Sequence, residues 1–161
     1  MKKEFVTNSP LETIELAKKI GSLINEPSVI AFMGGMGSGK TCFTTGFVKG
    51  LDYFGEVNSP TFAIVNEYLG GRIPIYHFDM YRIADEDELY SIGFYDYLDQ
   101  DGVLVIEWSE NIKEALPEDT VYITFSNAHQ NSRTITIECA YEKDILKVVA
   151  LDGHRISVRK I

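Results

Sequence analysis

The 161-residue sequence is poor in cysteine, with only Cys42 and Cys139. They match no metal-ligand spacing, and two cysteines in a chain of this length do not make a disulfide framework. We therefore expect both thiols to be reduced and buried. No stretch approaches the roughly 20 apolar residues that cross a bilayer, and the N-terminal MKKEFVTNSP has no apolar core of signal-peptide length. These absences predict a cytoplasmic protein without a membrane segment.

Basic residues are also scarce. Lysine and arginine number 15 against 24 aspartate and glutamate, which gives a formal net charge of -9 and a pI of about 4.8. Because binding to phosphate backbones requires clustered Lys and Arg, the chain is not expected to bind nucleic acid by itself, and any nucleic-acid role should run through a partner. The length and a hydrophobic content of 45% predict a single water-soluble domain spanning residues 1–161.

Apolar runs and turn residues predict alternating strands and helices. Ser9 and Pro10 are typical of the N-cap and first residue of a helix, which Gly21 weakens late. Residues 28–33 and 102–106 are short apolar runs typical of strands buried on both faces of a largely parallel sheet. Helical character is expected from 40 to about 51, a hairpin from 62–68 and 73–78, and extended closing segments at 121–125, 133–140 and 145–151. The predicted fold class is α/β, with a mainly parallel central sheet flanked by helices and antiparallel closing strands.

A phosphate-binding loop follows the first apolar run. Its residues are Gly34, Gly35, Met36, Gly37, Ser38, Gly39, Lys40 and Thr41, which match the spacing GxxxxGK[ST] between a strand and a helix. Glycines permit the bends that turn backbone N–H groups toward phosphate oxygens at a helix start. Lysine supplies a charge for the β and γ phosphates, and the threonine hydroxyl completes part of a Mg2+ shell. The alternative is a glycine-rich turn with an unrelated lysine. We predict a small P-loop ATPase that binds ATP and Mg2+.

Two carboxylates are candidates for the second protein contribution to Mg2+, which prefers hard oxygen ligands. Glu107 follows the unbroken apolar run 102–106, whereas Asp79 follows the more mixed run 73–78. We favour Glu107 at the metal and Asp79 near the attacking water, although the metal assignment can be reversed. Either residue could instead be a surface carboxylate that caps the next turn.

Four further residues each have two possible interpretations, one functional and one structural. Thr61 offers a hydroxyl where P-loop proteins often sense the γ phosphate, but the stretch could be an ordinary turn. His77, two residues before Asp79, either positions that carboxylate or is a satisfied core histidine. Trp108 either reports nucleotide state or packs in the interior. Arg133 either reaches phosphate or base or is a solvated arginine at a strand edge.

The motifs GGMGSGKT, SPTF, HFDMYR, ELYSIGFYDYL and VLVIEW occur in this order, and in this combination the chain resembles the TsaE family, the ATPase component of bacterial tRNA threonylcarbamoyladenosine (t6A) biosynthesis. The P-loop is generic, whereas HFDMYR and SPTF are more specific. The similarity runs from about Thr13 to Trp108 and more weakly through the closing strands. It implies a P-loop NTPase fold and ATP hydrolysis coupled to the partners TsaB and TsaD, which install the threonylcarbamoyl group next to the anticodon. Contact with tRNA is then indirect, through the complex.

The resemblance also implies roles for single residues. The loop from Gly34 to Thr41 would bind the phosphates, and Thr41 and Glu107 the Mg2+. Catalytic roles fall to Lys40, Asp79 and Thr61, of which Asp79 and Thr61 belong to switch-like elements, while Thr13 and Arg133 fall where the family approaches the nucleotide. The chain departs from the family at Gly35, where an acidic residue is common, and at Cys42, where a hydroxyl residue is more usual.

Two other functions are compatible with the P-loop. One is a nucleotide-dependent assembly module, in which binding orders the segments of Thr61 and Asp79 and hydrolysis only resets the complex. The other is a small-molecule kinase, which would need an arginine-rich lid over the phosphates. Kinase activity is disfavoured because the five arginines are scattered, at Arg72, Arg82, Arg133, Arg155 and Arg159.

Overall fold

The computed structural model describes residues 1–35, 37–141, 143–147 and 157–160. Its strands are β1 (Lys2–Thr7), β2 (Ser28–Met33), β3 (Val65–Tyr68), β4 (Ile75–Asp79), β5 (Val103–Glu107), β6 (Val121–His129), β7 (Ser132–Glu138) and β8 (Ser157–Lys160). They form one sheet in the order β3-β4-β5-β2-β6-β7-β1-β8. Strands β4, β5, β2 and β6 run parallel, while β3 at one margin and β7, β1 and β8 at the other are antiparallel to their neighbours. The predicted α/β class, parallel centre and antiparallel closing strands are confirmed.

The helices are α1 (Pro10–Ser22), α2 (Lys40–Gly50), α3 (Glu86–Ser91) and α4 (Phe94–Leu98), with 3-10 helices at Ser109–Ala115 and Asp144–Lys147. The predicted start of α1 is confirmed: Ser9 Oγ accepts a hydrogen bond from Glu12 N at 3.1 Å. Glu12 in turn accepts from the backbone N–H of Asn8 at 2.6 Å, which closes the cap. Within the described residues, none of these helices is both long and apolar enough to cross a membrane.

Apolar side chains cover both faces of the sheet. On one face, α1 and α2 pack with residues such as Ile20 and Phe47 against β2, β5 and β6. On the other face, α3, α4 and the 109–115 segment pack against β4 and β5 through residues such as Leu89 and Phe94. Burial on both sides explains why β5 is an unbroken apolar run.

Helices α1 and α2 approach each other closely at glycines. A Cβ atom at Gly46 would lie 2.2 Å from the carbonyl oxygen of Ile14, and one at Gly21 would lie 2.2 Å from that of Phe47. No side chain larger than hydrogen fits at either position without moving the backbone. Gly21, which weakens an isolated helix, is thus required by the contact between the two helices.

Three larger differences separate the structure from the sequence prediction. Strand β3 begins at Val65 rather than at residue 62, because Ile64 N donates to Pro60 O at 2.7 Å and closes a turn. The predicted strand 145–151 is wrong at residues 145–147, which belong to a 3-10 helix, and residues 148–151 lie outside the described part. Strand β1 was not predicted; it pairs with β7 and β8.

The parallel centre brings three loops to one edge of the sheet. Strand β2 leads into the P-loop, and its neighbour β5 ends at Glu107. Strand β4 lies beside β5 and ends at Asp79, in register with Glu107. Ligands of such sheets bind outside the carboxyl ends of the strands, so a ligand site is expected at this edge.

Candidate functional site

A cavity of about 600 Å³ lies at the carboxyl ends of β2, β5 and β4. Of the predicted site residues, it brings together Gly37, Ser38, Gly39, Lys40, Thr41, Thr61, Asp79, Glu107 and Arg133. Ser59, Tyr81, Trp108 and Cys42 also line it. Residues more than 90 positions apart in the sequence therefore meet in one cavity.

The loop before α2 has the backbone of a phosphate cradle. Gly37 and Gly39 have φ values of 72° and 100°, in the left-handed region that favours glycine. Gly39 is the N-cap of α2 and provides no side-chain cap, so the first amides of the helix are available to a ligand. A Cβ atom at Gly35 would meet no atom within 4 Å, so the loop has room there for a residue larger than glycine. Met36, also predicted to bind phosphate, lies outside the described residues.

Lys40 carries a buried charge without a carboxylate partner. Lys40 is only 7% exposed, and its Nζ donates a hydrogen bond to the carbonyl oxygen of Gly34 at 2.8 Å. No ion pair of Lys40 occurs in the described ranges. Nearby in the loop, Ser38 Oγ is buried and has no hydrogen-bond partner in the described structure. Because buried charges and hydroxyls are normally compensated, both groups fit a site that receives an anionic phosphate.

Two buried carboxylates face the same cavity. Asp79 is 6% and Glu107 5% exposed. Asp79 Oδ1 accepts a hydrogen bond from Tyr81 N at 2.9 Å. Where the structure describes the chain, neither carboxylate pairs with a lysine or arginine, and no group of three or more His, Cys, Asp or Glu forms a self-contained metal site. Mg2+ typically takes one or two carboxylates and completes its shell with water and phosphate oxygens, so these carboxylates and the Thr41 hydroxyl fit that ion.

Thr61 lies in a segment that is tied to the end of β4. Its hydroxyl is 2.9 Å from the hydroxyl of Ser59, and both residues line the cavity. At the end of the same segment, Ile64 has a φ of 69°, which is strained for a β-branched residue. The carbonyl oxygen of Ile64 accepts a hydrogen bond from Asp79 N at 2.9 Å. The end of the segment is therefore hydrogen-bonded to the backbone that positions Asp79.

Arg133 lies beside the P-loop, and Thr13 does not reach the cavity. The guanidinium of Arg133 is within 3.5 Å of the carbonyl oxygen of Gly37. The strand-edge interpretation of Arg133 is wrong, because β7 is flanked by β6 and β1. Thr13 is buried in the first turn of α1, where its hydroxyl bonds to that of Thr7 at 2.7 Å. The structure thus brings only the first of these two predicted nucleotide contacts to the site.

Three contacts were missed by sequence reasoning. His77 bonds to Glu107, with Nε2 2.6 Å from Oε2, rather than to Asp79 as expected of a positioning histidine. Trp108 places its ring 4.6 Å from Lys40 Nζ and 5.0 Å from the ring of Tyr81. The sequence signal for Tyr81 is its place in the motif HFDMYR, two residues after Asp79. All three contacts depend on which strands are neighbours.

The two cysteines differ in their surroundings. Cys139 is buried as predicted, and burial raises the pKa of its thiol above the ordinary 9.0. Cys42 is only partly buried and lines the cavity, so the expectation of burial is wrong for this residue. Both are free thiols, as expected.

Comparison with known proteins places this site in a family. The family described as threonylcarbamoyl adenosine biosynthesis protein TsaE matches residues 7–135. The chain is 40% identical over 130 residues to the tRNA threonylcarbamoyladenosine biosynthesis protein TsaE of Bacillus subtilis (strain 168), a match that covers 81% of each chain. Its counterpart in Treponema pallidum (strain Nichols) is 37% identical over 132 residues, which cover 82% of this chain and 97% of that protein.

A solved structure agrees with the sequence matches. A crystal structure of Bacillus subtilis YdiB has a TM-score of 0.71 and 34% sequence identity, and the match covers 85% of this chain and 84% of that one. The family match spans the P-loop, both carboxylates and Arg133. The predicted resemblance is confirmed: the chain belongs to the TsaE family of P-loop nucleotide-binding proteins of tRNA t6A biosynthesis.

Proposed function

We propose that the protein is a Mg2+-dependent ATPase that acts with TsaB and TsaD in the formation of t6A and meets tRNA through that complex. The observation that carries the proposal is the buried ammonium of Lys40, which has no carboxylate partner in the described residues, beside the unpartnered hydroxyl of Ser38. A phosphate group supplies what both lack, an anion that also accepts hydrogen bonds.

The residues of the loop divide the work of binding. The amides at the start of α2 and the backbone around Gly37 surround the phosphates, and Lys40 adds a positive charge to them. Arg133 lies beside the loop, within 3.5 Å of Gly37 O, and can add a second charge. Stabilising charge on the transferring phosphoryl group in a partly enclosed cavity lowers the barrier to hydrolysis.

Thr41 and Glu107 would hold Mg2+, and Asp79 would orient the attacking water. We favour this order of the carboxylates because β5, which ends at Glu107, is the strand next to β2, whereas β4 lies one strand further from the P-loop. Mg2+ held there would supply positive charge that offsets the negative charge of the phosphates. Thr61 faces the same cavity and would contact the γ phosphate.

A nucleotide-dependent assembly module remains the second candidate function. It is favoured by the hydrogen bond between Asp79 N and the carbonyl oxygen of the strained Ile64. Through this bond, nucleotide bound near Asp79 would change the conformation of the exposed segment that precedes Ile64. Asp79→Asn separates the two functions if the variant still binds ATP. Assembly alone predicts that t6A formation survives in this variant, whereas required turnover predicts that it fails.

A kinase is less well supported. Arg72 donates to the carbonyl oxygens of Ile24 and Gly50, which are on the α1–α2 side and not in the cavity lining. Arg82 lies over the ring of Phe62 at 5.0 Å. Among the arginines whose side chains are described, Arg133 alone lines the cavity.

The test is t6A formation on tRNA with purified TsaB and TsaD, ATP and preformed threonylcarbamoyl-adenylate, under multiple-turnover conditions. The comparison is between no addition, wild type, Lys40→Ala and the control Lys49→Ala, whose lysine is exposed at the last turn of the same helix. We expect modification with wild type and with the control, and none with Lys40→Ala. Modification that does not require the protein, or that survives Lys40→Ala, would overturn the proposal.

A further inference from the structure

A buried chain of hydrogen bonds connects Glu107 to the loop on the far side of β3. His77 Nε2 lies 2.6 Å from Glu107 Oε2, and His77 Nδ1 lies 3.0 Å from the hydroxyl of Tyr68. The Tyr68 hydroxyl donates to the main-chain oxygen of Asn58 at 3.0 Å. His77, Tyr68 and Glu107 are all buried. This series of hydrogen bonds therefore runs through the protein interior from a cavity carboxylate to residue 58.

The direction of the hydrogen bond at the Asn58 end is fixed. A main-chain oxygen only accepts, so the single hydrogen of the Tyr68 hydroxyl points to Asn58. His77 Nδ1 lies 3.0 Å from the same hydroxyl, and the contacts of the ring with Tyr68 and with Glu107 fix the imidazole plane with Nε2 directed at Glu107. Burial raises the pKa of Tyr68 above its ordinary 10.0, so the hydroxyl stays a donor.

Sheet register explains why His77 is the residue that makes this link. It lies on β4, opposite Asn66 of β3 and Val105 of β5. Successive side chains alternate between faces, so His77 shares the face of Asp79 and of Glu107, the register partner of Asp79. That face is otherwise apolar and covered by α1 and α2, and a carboxylate there requires a hydrogen-bonding partner.

We propose that His77 is a positioning residue that orients the Glu107 carboxylate for Mg2+ and, through Tyr68, couples it to the main chain at Asn58. The inference rests on the proposed nucleotide and Mg2+ site. Side chains that hydrogen-bond to metal-binding carboxylates orient those carboxylates in this way. Asn58 immediately precedes the segment 59–64, whose other end binds Asp79 N through Ile64 O. The segment that carries Thr61 is thus connected at both ends to a strand that ends in a cavity carboxylate.

Three substitutions separate the contact of His77 with Glu107 from the contact of Tyr68 with Asn58. His77→Gln can place an amide donor where Nε2 lies and so keep the bond to Glu107, whereas His77→Asn reaches only the Nδ1 position and loses it. Tyr68→Phe keeps the His77–Glu107 bond and removes the bond to Asn58. Thermal melting without nucleotide reports whether each variant is folded.

The first measurement is calorimetric binding of a non-hydrolysable ATP analogue at increasing Mg2+ concentrations. We expect His77→Asn to raise the Mg2+ concentration for half-maximal enhancement of binding at least about tenfold, the usual effect of losing a partner of a metal ligand. His77→Gln should restore most of this loss, and binding in excess chelator should be similar in all variants. A residue that only supports the fold would instead lower binding with and without Mg2+.

The second measurement is amide hydrogen exchange with nucleotide and Mg2+ bound. Tyr68→Phe should bind Mg2+ like wild type but exchange faster at residues 58–64. If wild type shows no Mg2+-dependent nucleotide binding, the proposed function fails and the inference with it. If wild type shows it and His77→Asn has an unchanged Mg2+ dependence, the inference alone is overturned. If His77→Asn does not fold, an impaired Mg2+ dependence in His77→Gln or unchanged exchange in Tyr68→Phe overturns it.

Discussion

Lys40 and Trp108 form a contact that cannot be predicted from either residue's position in the sequence. Trp108 has a φ of 56°, a conformation uncommon for a large side chain, and this backbone holds its ring 4.6 Å from the ammonium of Lys40. Strained residues of this kind are retained where the surrounding structure requires them, often at functional sites. The ring face compensates part of a buried charge and so stabilises the lysine in the cavity.

Cys42 provides a residue-level prediction, because it lines the cavity whereas Cys139 is buried. Burial raises the pKa of Cys139 above 9.0, so near pH 8 this thiol stays neutral and unreactive. We expect iodoacetamide to modify Cys42 first. ATP analogue with Mg2+ at ten times its Kd should slow that reaction about tenfold by occupying the cavity. Peptide mass spectrometry over time measures both rates; equal labelling of the two thiols, or no protection of Cys42, would contradict the prediction.

At the scale of elements, the strongest local patterns gave correct predictions. The start of α1 follows from its capping residue, and the strands β2 and β5 follow from their apolar runs. The strand expected from residue 62 was shortened by the turn at Ile64, whose positive φ is unfavourable for its side chain. Local propensity cannot anticipate a conformation that tertiary contacts impose.

The α1–α2 contact gives an element-level prediction. Gly46→Ala adds a Cβ atom 2.2 Å from Ile14 O, a backbone atom that cannot rotate away. Overpacking typically costs about 1–3 kcal/mol, which should exceed the gain of about 1 kcal/mol in helix propensity. We expect a net loss of up to about 2 kcal/mol in the free energy of unfolding. Urea unfolding without nucleotide measures it.

The matched control is Gly35→Ala, the same chemical change at a position where a Cβ atom meets nothing within 4 Å. Its unfolding midpoint should stay close to that of wild type. If Gly46→Ala is as stable as this control, the two helices can separate without cost, and the close approach does not constrain the fold.

At the scale of the whole molecule, charge sets how the protein meets RNA. The formal net charge of -9 opposes binding to a phosphate backbone. We expect the isolated protein to show no micromolar affinity for tRNA in filter binding at about 150 mM salt, while the mixture with TsaB and TsaD serves as the positive control. Tight binding by the chain alone, with affinity falling steeply as salt rises, would contradict both this expectation and the indirect role in t6A formation.

The sequence by itself determined the phosphate loop, the α/β class and the family. These depend on contiguous residues, because loop backbone, helix caps and strand burial leave periodic or local signals. The tertiary structure decided which distant side chains meet: Arg133 at the loop, Trp108 over Lys40, and His77 on Glu107 instead of Asp79. It also placed Thr13 away from the cavity, with its hydroxyl bonded to Thr7. Such contacts are set by strand order and register, which bring together residues far apart in the chain and which local patterns do not encode.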